Sequence, residues 1–385
     1  MAARDWRTKE DRRISGETVD YPFLILILLL LGVGLAMLYS ASSAQSMYDT
    51  GYEISTKYLQ KQAVCALLGL IAMYFFSRIP ADVWYRLAWP IYGVSILLLL
   101  SVLVIGQEVN GAKRWVSIGG IQFQPSEVAK FAMILVFARL TREYGPDAKK
   151  FRFGVFGFGV TLLGILVPLA LEKHLSAIML MGMVAVVMMF VAGTSPKWLL
   201  AGAGAAALFV LVYITFMGYA GDRVTAWLDP NSDPGDTGYQ ILQSLYAIGS
   251  GGLFGMGFGR SRQKYLYLPF QYNDYIFAIV CEELGLIGAG LIVILFLVTI
   301  LRGYWIALKA STRFSTVLAA GLTTLIAVQT ILNLCVVTNL LPSTGIALPF
   351  FSYGGTALAV NLGEMGVILN ISRERNRVKK QEVFS

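Results

Sequence analysis

The chain has 385 residues, of which 56% are hydrophobic and 14% are charged, and its net charge is +8. Soluble globular domains carry about a quarter charged residues, so the composition excludes a soluble protein of two or three domains. Apolar runs of about 20 residues recur along the chain, and each can cross the roughly 30 Å hydrocarbon layer as a helix. The sequence therefore predicts an all-α polytopic membrane protein.

Ten apolar runs are predicted to be membrane-spanning helices. They cover 22–42, 63–77, 85–106, 126–142, 152–172, 174–193, 198–217, 275–301, 314–337 and 355–371. The first apolar run follows the charged segment 1–21 and shows no small-residue cleavage site, so we expect a retained helix and an attached cytoplasmic tail instead of a removable signal peptide. The predicted organisation is this tail, a single transmembrane domain over 22–371 and a basic cytoplasmic tail over 372–385.

Lysine and arginine are distributed unequally between the two sides. The connections on one side, together with the two tails, hold 21 of the 31 Lys and Arg residues, and those on the other side hold 9. By the positive-inside rule both termini are predicted to be cytoplasmic, and the net charge needs no nucleic-acid partner. The long loops 107–125 and 218–274 are then extracytoplasmic, and loops of such length commonly carry function.

The segment RWVSIGGIQFQPSEVAK (114–130) combines a helix start with two cations. The helix-start signal consists of Gln124, Pro125 and Ser126. Glu127 and Lys130 lie three residues apart on one helix face and can pair. Two interpretations remain open. Lys130 is a paired lysine extending to the outer interface, or Arg114 and Lys130 form a cationic pocket for a diphosphate beside Trp115.

The segment YLPFQYNDYIFAIVCEELG (267–285) places three carboxylates at or inside an apolar run. An ionisable group in the bilayer costs roughly 3 kcal/mol, so each needs a partner or a function. Asp274 is interpreted either as the N-cap of the eighth helix or as a general base at the membrane surface. Glu282 and Glu283 lie about 12 Å further along the helix, where Lys130 or a backbone donor is expected to hold them.

Three further segments receive structural interpretations. Residues 239–249 form an amphipathic helix at the membrane surface or folded back into the bundle, with Ser244 on its polar face. The glycine-rich stretch 249–264 lacks the strand context of a nucleotide-binding loop and is expected to be a re-entrant or surface turn. Glu172, Lys173 and His174 are predicted to form a local ion pair that caps a short turn.

Three motifs, in this order, resemble those of the SEDS family, the shape, elongation, division and sporulation proteins that include RodA, FtsW and SpoVE. They are RWVSIGGIQFQPSEVAK, GYQILQSLYAIGSGGLFGMGFGRSRQKYLYLP followed by DYIFAIVCEELG, and LLPSTGIALPFFSYGG. The resemblance covers the chain from the third helix onward. It implies ten transmembrane helices and a peptidoglycan glycosyltransferase that polymerises lipid II on the outer face of the bacterial cytoplasmic membrane. It also implies a class B penicillin-binding protein as partner, within the divisome or elongasome.

The resemblance assigns roles residue by residue. The family's essential aspartate falls on Asp274, its extracytoplasmic tryptophan and lysine fall on Trp115 and Lys130, and its QPSE element falls on Gln124, Pro125, Ser126 and Glu127. The catalytic residues are then Asp274, as general base on the acceptor hydroxyl, and Lys130, which stabilises the pyrophosphate leaving group. The predicted substrate-binding residues are Arg114, Trp115, Gln124, Ser126, Glu127 and Arg260. The only cofactor left open is a divalent cation, Mg²⁺ or Mn²⁺.

The chain departs from the family pattern at two places. The common PEAHTDFIF is PFQYNDYIF here, so Tyr272 replaces a histidine, and the common QPDLGT is EKHLSA at 172–177. Because of these changes, the resemblance does not assign the chain to the elongation, division or sporulation branch of the family. Two alternative functions also stay open: a lipid II flippase, which buried charges would suit, and a weakly active scaffold for the penicillin-binding partner. Long polar loops on one face only favour the enzyme over the transporter.

Overall fold

The computed structural model describes residues 19–109, 112–118, 121–202, 204, 218–232 and 237–384. The α-helices are α1 Tyr21–Asp49, α2 Lys57–Phe76, α3 Ala81–Ile105, α4 Pro125–Tyr144, α5 Phe158–Leu171, α6 Leu175–Ala192, α7 Gly218–Leu228, α8 Thr237–Gly251, α9 Ile276–Leu308, α10 Arg313–Val337 and α11 Thr356–Phe384. Short 3-10 helices lie at Gly145–Lys149 and Pro230–Ser232, and a π-helical turn at Arg152–Gly157 leads into α5.

The helices confirm the prediction of a multi-pass membrane protein. Among the described residues, seven helices are long and apolar enough to span a membrane, α5 being counted with the turn that precedes it. The more polar α4 and α11 coincide with the predicted spans 126–142 and 355–371. The predicted span 198–217 falls largely outside the described residues. The α11 helix continues to Phe384, so most of the predicted tail 372–385 is helical.

The first long loop, which was predicted to be extracytoplasmic, contains a small sheet that the all-α expectation missed. Its strands are β1 Gln107–Val109, β2 Ala112–Ile118 and β3 Ile121–Phe123, all antiparallel and in the order β1-β2-β3. In the register, Gln107 pairs with Trp115 and Val116 pairs with Phe123. Pairing with β1 and β3 fixes the position of β2, and β2 carries Arg114 and Trp115.

The α4 helix lies at the centre of the bundle. It packs against α3, α5, α6 and α10, and an almost unbroken series of its residues from Pro125 to Thr141 is buried. A helix surrounded by protein is apolar on all faces, and the middle of α4 fits this rule, whereas its first and last turns carry charged residues. Glu127 and Lys130 in the first turns are therefore buried among neighbouring helices.

One end of the bundle is closed by polar contacts at Asp20. Its carboxylate caps α1 by accepting from the Phe23 amide at 3.1 Å, and it accepts two hydrogen bonds from Arg302, each 2.9 Å long. The Asp20 amide donates to Ser372 Oγ at 3.1 Å. The start of α1, the later part of α9 and the α11 residues around 372 therefore share this end. Residues 20 and 372, which border the two predicted tails, therefore lie at the same end of the bundle, and the cytoplasmic assignment of this end stays a prediction.

The α8 helix folds back onto the bundle, which decides between the two predicted placements. It packs against α9, and its buried face includes Ile241, Ser244 and Ala247. The polar-face assignment of Ser244 was wrong, because its hydroxyl donates to the Val337 carbonyl at 2.9 Å and is thereby satisfied inside the bundle. Tyr246, on the same helix, is exposed.

The segment 252–264, which we call the glycine turn, packs into a break in α9. Gly285 in α9 has a φ of 67°, and a Cβ there would lie 2.3 Å from the Gly255 amide nitrogen. The amides of Leu286 and Ile287, free of helical partners at the break, donate to carbonyls of the turn at 2.9 and 3.1 Å. Only glycine at 285 permits both the backbone angle and this close approach.

Glu282 and Glu283 bind the glycine turn. Backbone donors hold both carboxylates, which was one of the two predicted arrangements. Glu283 accepts from the Gly259 and Ser261 amides at 3.0 and 3.2 Å and pairs with Lys264 at 3.3 Å. Glu282 accepts from the Arg262 amide at 2.9 Å. The alternative partner Lys130 lies elsewhere, paired with Glu127. The two glutamates are structural groups that fasten an irregular segment to a helix.

Candidate active site

A large cavity opens at the end of the bundle opposite Asp20. Its volume is about 1590 Å³. Its walls come from the start of α2, strand β2, the first turns of α4 and α6, the segment before α9, and the loop between α10 and α11. Seven of the eight residues predicted for the site line this cavity: Arg114, Trp115, Gln124, Ser126, Glu127, Lys130 and Asp274.

The Asp274 carboxylate faces this cavity from a fixed backbone. The Asn333 side chain of α10 donates to the carbonyl oxygens of Asp274 and Ile346 at 2.7 and 2.8 Å, tying two loops together. A Cβ at Gly345, whose φ is 72°, would lie 3.4 Å from Asp274 Oδ2. The predicted N-cap role of Asp274 is wrong. The N-cap of α9 is Tyr275, and no side chain caps that helix.

The environment of Asp274 suits a base. Burial raises the pKa of Asp274 to about 6, and the positive charges of Arg223 and Arg114 oppose that rise. A carboxyl with such a pKa is mostly ionised at neutral pH and still has appreciable basicity. Asp274 can therefore accept a proton from a hydroxyl group that enters the cavity.

Lys130 forms a buried ion pair with Glu127. The Lys130 Nζ to Glu127 Oε2 distance is 2.7 Å, and the two side chains are only 5% and 9% exposed. The pairing predicted from the spacing is confirmed, but Lys130 does not extend to the outer interface, because its ammonium lies inside the protein beside the cavity. Pro125 is the first residue of α4 and Gln124 is its N-cap residue, as predicted.

Arg114 joins the cavity wall to the turn before α6. Its guanidinium donates to the Lys173 carbonyl, and both Arg114 and its neighbour Trp115 line the cavity. With Lys130 on α4, it places positive charge where a diphosphate could bind. The structure is therefore compatible with the predicted cationic pocket for a diphosphate.

Arg260 is the one predicted site residue that the structure does not bring to the cavity. It lies in the glycine turn, is exposed, and is absent from the cavity wall. The contacts of Glu282 and Glu283 hold this turn against α9. A role for Arg260 in binding the substrate stays a prediction.

Sequence reasoning missed Arg223. It lies on α7, lines the cavity, donates to the Ser343 carbonyl at 2.9 Å, and acts electrostatically on Asp274. The sequence around it, GDRVT, carries no motif that could have singled it out. Only the folding of the loop 218–274 over the bundle brings it to the aspartate.

The turn at Glu172 and His174 differs from its prediction. Glu172 makes no ion pair with Lys173 or His174, so the expected local pair is wrong. Burial raises the pKa of Glu172 to about 8, opposed by Arg114. Burial, together with the positive charges of Arg114 and Lys130, lowers the pKa of His174 to about 3. His174 is therefore a neutral side chain in the cavity wall.

The divalent cation stays a prediction. Within the described part of the chain, no three His, Cys, Asp or Glu side chains converge as metal ligands. Protein side chains alone would therefore not form a closed metal site there, and Mg²⁺ in such a cavity would need substrate phosphate oxygens as ligands.

Comparison with known proteins places the chain in one family. The profile of the cell cycle protein family of FtsW, RodA and SpoVE matches residues 21–377. A relative from Geobacter sulfurreducens, described as a probable peptidoglycan glycosyltransferase FtsW, is 40% identical over 361 residues, which cover 92% of this chain and 95% of the relative.

Two solved structures share the fold. A protein from a peptidoglycan synthase complex, studied for its coordination of polymerization and crosslinking, superposes with a TM-score of 0.79 at 28% identity and covers 93% of this chain and 98% of its own. The rod shape determining protein RodA of Thermus thermophilus gives a TM-score of 0.70 at 26% identity with the same coverage. The chain therefore belongs to the FtsW, RodA and SpoVE family of multi-pass membrane proteins.

Proposed function

We propose that this protein is a peptidoglycan glycosyltransferase that polymerises lipid II on the outer face of the bacterial cytoplasmic membrane during elongation, division or sporulation. One observation carries the proposal. A carboxylate with a raised pKa, Asp274, shares a single cavity with the cations Arg114, Lys130 and Arg223. Transfer of a sugar from a lipid diphosphate needs both a base and cations for the leaving group. The Geobacter relative is described as an enzyme of this class.

The reaction is an inverting displacement at the anomeric carbon of the growing glycan chain. Asp274 removes the proton from the acceptor hydroxyl of lipid II as its oxygen attacks that carbon. The new carbon–oxygen bond forms while the bond to the diphosphate breaks, and the electron pair leaves with undecaprenyl pyrophosphate. The proton then rests on Asp274 and must pass to solvent or to the product before the next cycle.

The cations act on the leaving group. Negative charge grows on the bridging oxygen and spreads over the diphosphate, where Arg114, Lys130 and Arg223 stabilise it. Glu127 keeps the Lys130 ammonium in position through the 2.7 Å contact and neutralises it while the cavity is empty of phosphate. The Lys130 side chain is only 5% exposed, and a buried charge acts more strongly than the same charge in bulk water.

The direct experiment is polymerisation by the purified full-length protein. Fluorescent lipid II in detergent, with and without a class B penicillin-binding protein, should yield glycan strands that separate on a gel. Polymer formed in detergent excludes a flippase-only function, because there are no two sides between which a lipid could flip. No polymer in either condition would contradict the proposed activity.

The variant Asp274→Asn tests the base. General-base catalysis contributes typically about 100- to 10,000-fold, so the turnover number should fall by about 100-fold or more. The matched control is Asp82→Asn, which removes a largely exposed carboxylate at the opposite end of the bundle and should keep parental activity. Parental turnover in Asp274→Asn would refute the role of this residue.

A crosslinking partner belongs to the same proposal. The neighbour with the TM-score of 0.79 comes from a complex that coordinates polymerization with crosslinking. We propose that this chain likewise works with a monofunctional class B penicillin-binding protein, which supplies the transpeptidase. Co-purification of the pair and an increase in polymer on addition of the partner are the expected results.

A further inference from the structure

Three tyrosines from three separate elements line one wall of the cavity. They are Tyr58 at the start of α2, Tyr272 before α9 and Tyr353 in the loop before α11. The Tyr58 ring centroid lies 4.5 Å from that of Tyr272 and 5.0 Å from that of Tyr353, and the last two lie 6.0 Å apart. We call this group the tyrosine cluster.

Backbone and side-chain contacts hold the tyrosine cluster rigidly. The Tyr353 amide donates to the Tyr272 carbonyl at 2.9 Å, which joins the two loops. The fully buried Gln62 of α2 accepts from the Gly355 amide at 3.0 Å and donates to the Ser352 carbonyl at 3.1 Å. Rings fixed in this way can form a binding surface that loses little entropy when a ligand arrives.

The cluster is part of the cavity wall and lies at the edge of the packed core. Phe350 and Phe351, just before Tyr353, are 2% and 0% exposed, whereas all three tyrosines remain partly exposed. Tyr272 also donates its hydroxyl to the Tyr58 hydroxyl at 3.3 Å, which gives the aromatic wall a polar edge. The chain thus uses phenylalanine for packing and tyrosine where the loop meets the cavity.

The aromatic wall and the cationic residues favour different parts of a glycolipid. Arg114, Lys130 and Arg223 suit a diphosphate. An aromatic face carries negative charge density, so it suits the polarised C–H groups of a sugar ring better than it suits phosphate. Tyr272 precedes Asp274 by two residues, so the aromatic wall lies next to the candidate base.

We propose that the tyrosine cluster is a saccharide subsite that stacks an N-acetylhexosamine, the acceptor sugar, with its attacking hydroxyl directed at Asp274. This inference rests on the proposed function and assigns the two substrates to different walls. The acceptor sugar contacts the tyrosines, and the donor diphosphate contacts Arg114, Lys130 and Arg223. Tyr272, a departure from the family's histidine, then has a role in binding.

The test separates sugar binding from diphosphate binding and needs no turnover. N,N′-diacetylchitobiose, a disaccharide without phosphate, is titrated into the full-length protein in nanodiscs and followed by saturation-transfer NMR. Undecaprenyl pyrophosphate is titrated in parallel. Tyr272→Leu should weaken chitobiose binding by about threefold to tenfold, the size of one aromatic contact, and leave undecaprenyl pyrophosphate binding unchanged.

The variants Tyr272→Phe and Arg114→Ala are the controls. Tyr272→Phe keeps the ring and should retain most chitobiose binding, whereas Arg114→Ala should weaken the diphosphate ligand only. The thermal unfolding midpoint of each variant shows whether it is folded. The inference is overturned if the parent protein binds no chitobiose, if Tyr272→Leu binds it as the parent does, or if Tyr272→Phe loses as much binding as Tyr272→Leu. Each of these results is separate from the polymerisation assay, which tests the proposed function itself.

Discussion

Asp274 illustrates how burial and nearby charge together set the chemistry of one carboxyl group. Burial raises its pKa from the ordinary 3.8 to about 6, and Arg223 and Arg114 limit the rise. The sequence gives the residue type and its place before an apolar run, and the family resemblance gives its role. Neither could reveal the contribution of Arg223, because that residue is far away along the chain and has no motif.

The pH dependence of activity follows from this pKa. Asp274 acts as a base only when ionised, so kcat/KM should fall about tenfold per pH unit below pH 6 and level off above it. Arg223→Gln removes a charge that lowers the pKa, so the inflection should move to higher pH, whatever happens to the maximal rate. A lipid II polymerisation profile without an inflection between about pH 5 and 7 would contradict the assignment.

Because Lys130 and Glu127 form a buried ion pair, the effect of Lys130 on stability can be separated from its effect on activity. Lys130→Met leaves Glu127 buried without its partner and should cost about 3–5 kcal/mol of unfolding free energy. The double variant Lys130→Met, Glu127→Gln should recover most of the thermal midpoint and remain inactive, because the cation is still missing. Thermal unfolding in detergent and polymerisation of lipid II measure the two effects.

A matched control for this pair is Lys150→Met. Lys150 pairs with Asp147, also three residues away, at 2.8 Å, but the two side chains are 68% and 52% exposed. Exposed pairs contribute about 0–1 kcal/mol, so this variant should change the thermal midpoint little. If Lys150→Met destabilised the protein as much as Lys130→Met, burial would not be the cause.

At the scale of elements, the apolar runs predicted the helices well, and the polar loops were predicted poorly. The run that became α9 is long and apolar, so its helix follows from length and hydrophobicity. The sheet at 107–123 was missed because its strands are short and are stabilised by pairing with one another. The break at Gly285 was missed because a single glycine in a transmembrane helix is common and gives no signal of its own.

Gly285→Ala tests the junction between α9 and the glycine turn. A Cβ at this position would lie 2.3 Å from the Gly255 nitrogen, and the φ of 67° is unfavourable for alanine. The substitution should lower the thermal midpoint clearly and release the turn, which trypsin cleavage at Arg260 or Arg262 would report. Parental stability would show that the turn is not seated on the helix break.

Gly290→Ala is the control on the same helix. No atom lies within 4 Å of a Cβ built at Gly290, and its backbone is helical. Alanine exceeds glycine in helix propensity by about 1 kcal/mol in water, so this variant should be neutral or slightly more stable. The contrast between the two alanines separates a general effect of glycine replacement from the specific contact at 285.

For the whole molecule, the uneven distribution of polar loops explains why one end carries the chemistry. The Asp20 end is closed by short, direct contacts such as the pair with Arg302, whereas the other end holds the sheet, α7, α8 and the cavity. Loop length and composition predicted at which end the candidate site residues would lie. They could not predict the cavity itself, because its walls come from segments up to about 300 residues apart, such as Tyr58 and Tyr353.

The proposed function depends on the orientation of the whole molecule in the membrane. The cavity must open on the outer face, because that is where we propose that lipid II is polymerised. The charge asymmetry of 21 to 9 places the cavity end outside and the Asp20 end inside. In a Cys335→Ser background, where the remaining native cysteines are buried, single cysteines can replace the exposed Asp229 near the cavity end and the exposed Asp147 at the other end. A membrane-impermeant maleimide should label Asp229→Cys in intact cells and Asp147→Cys only after the membrane is permeabilised. The reverse pattern would place the cavity in the cytoplasm, where an enzyme that extends glycan strands outside the cell could not work.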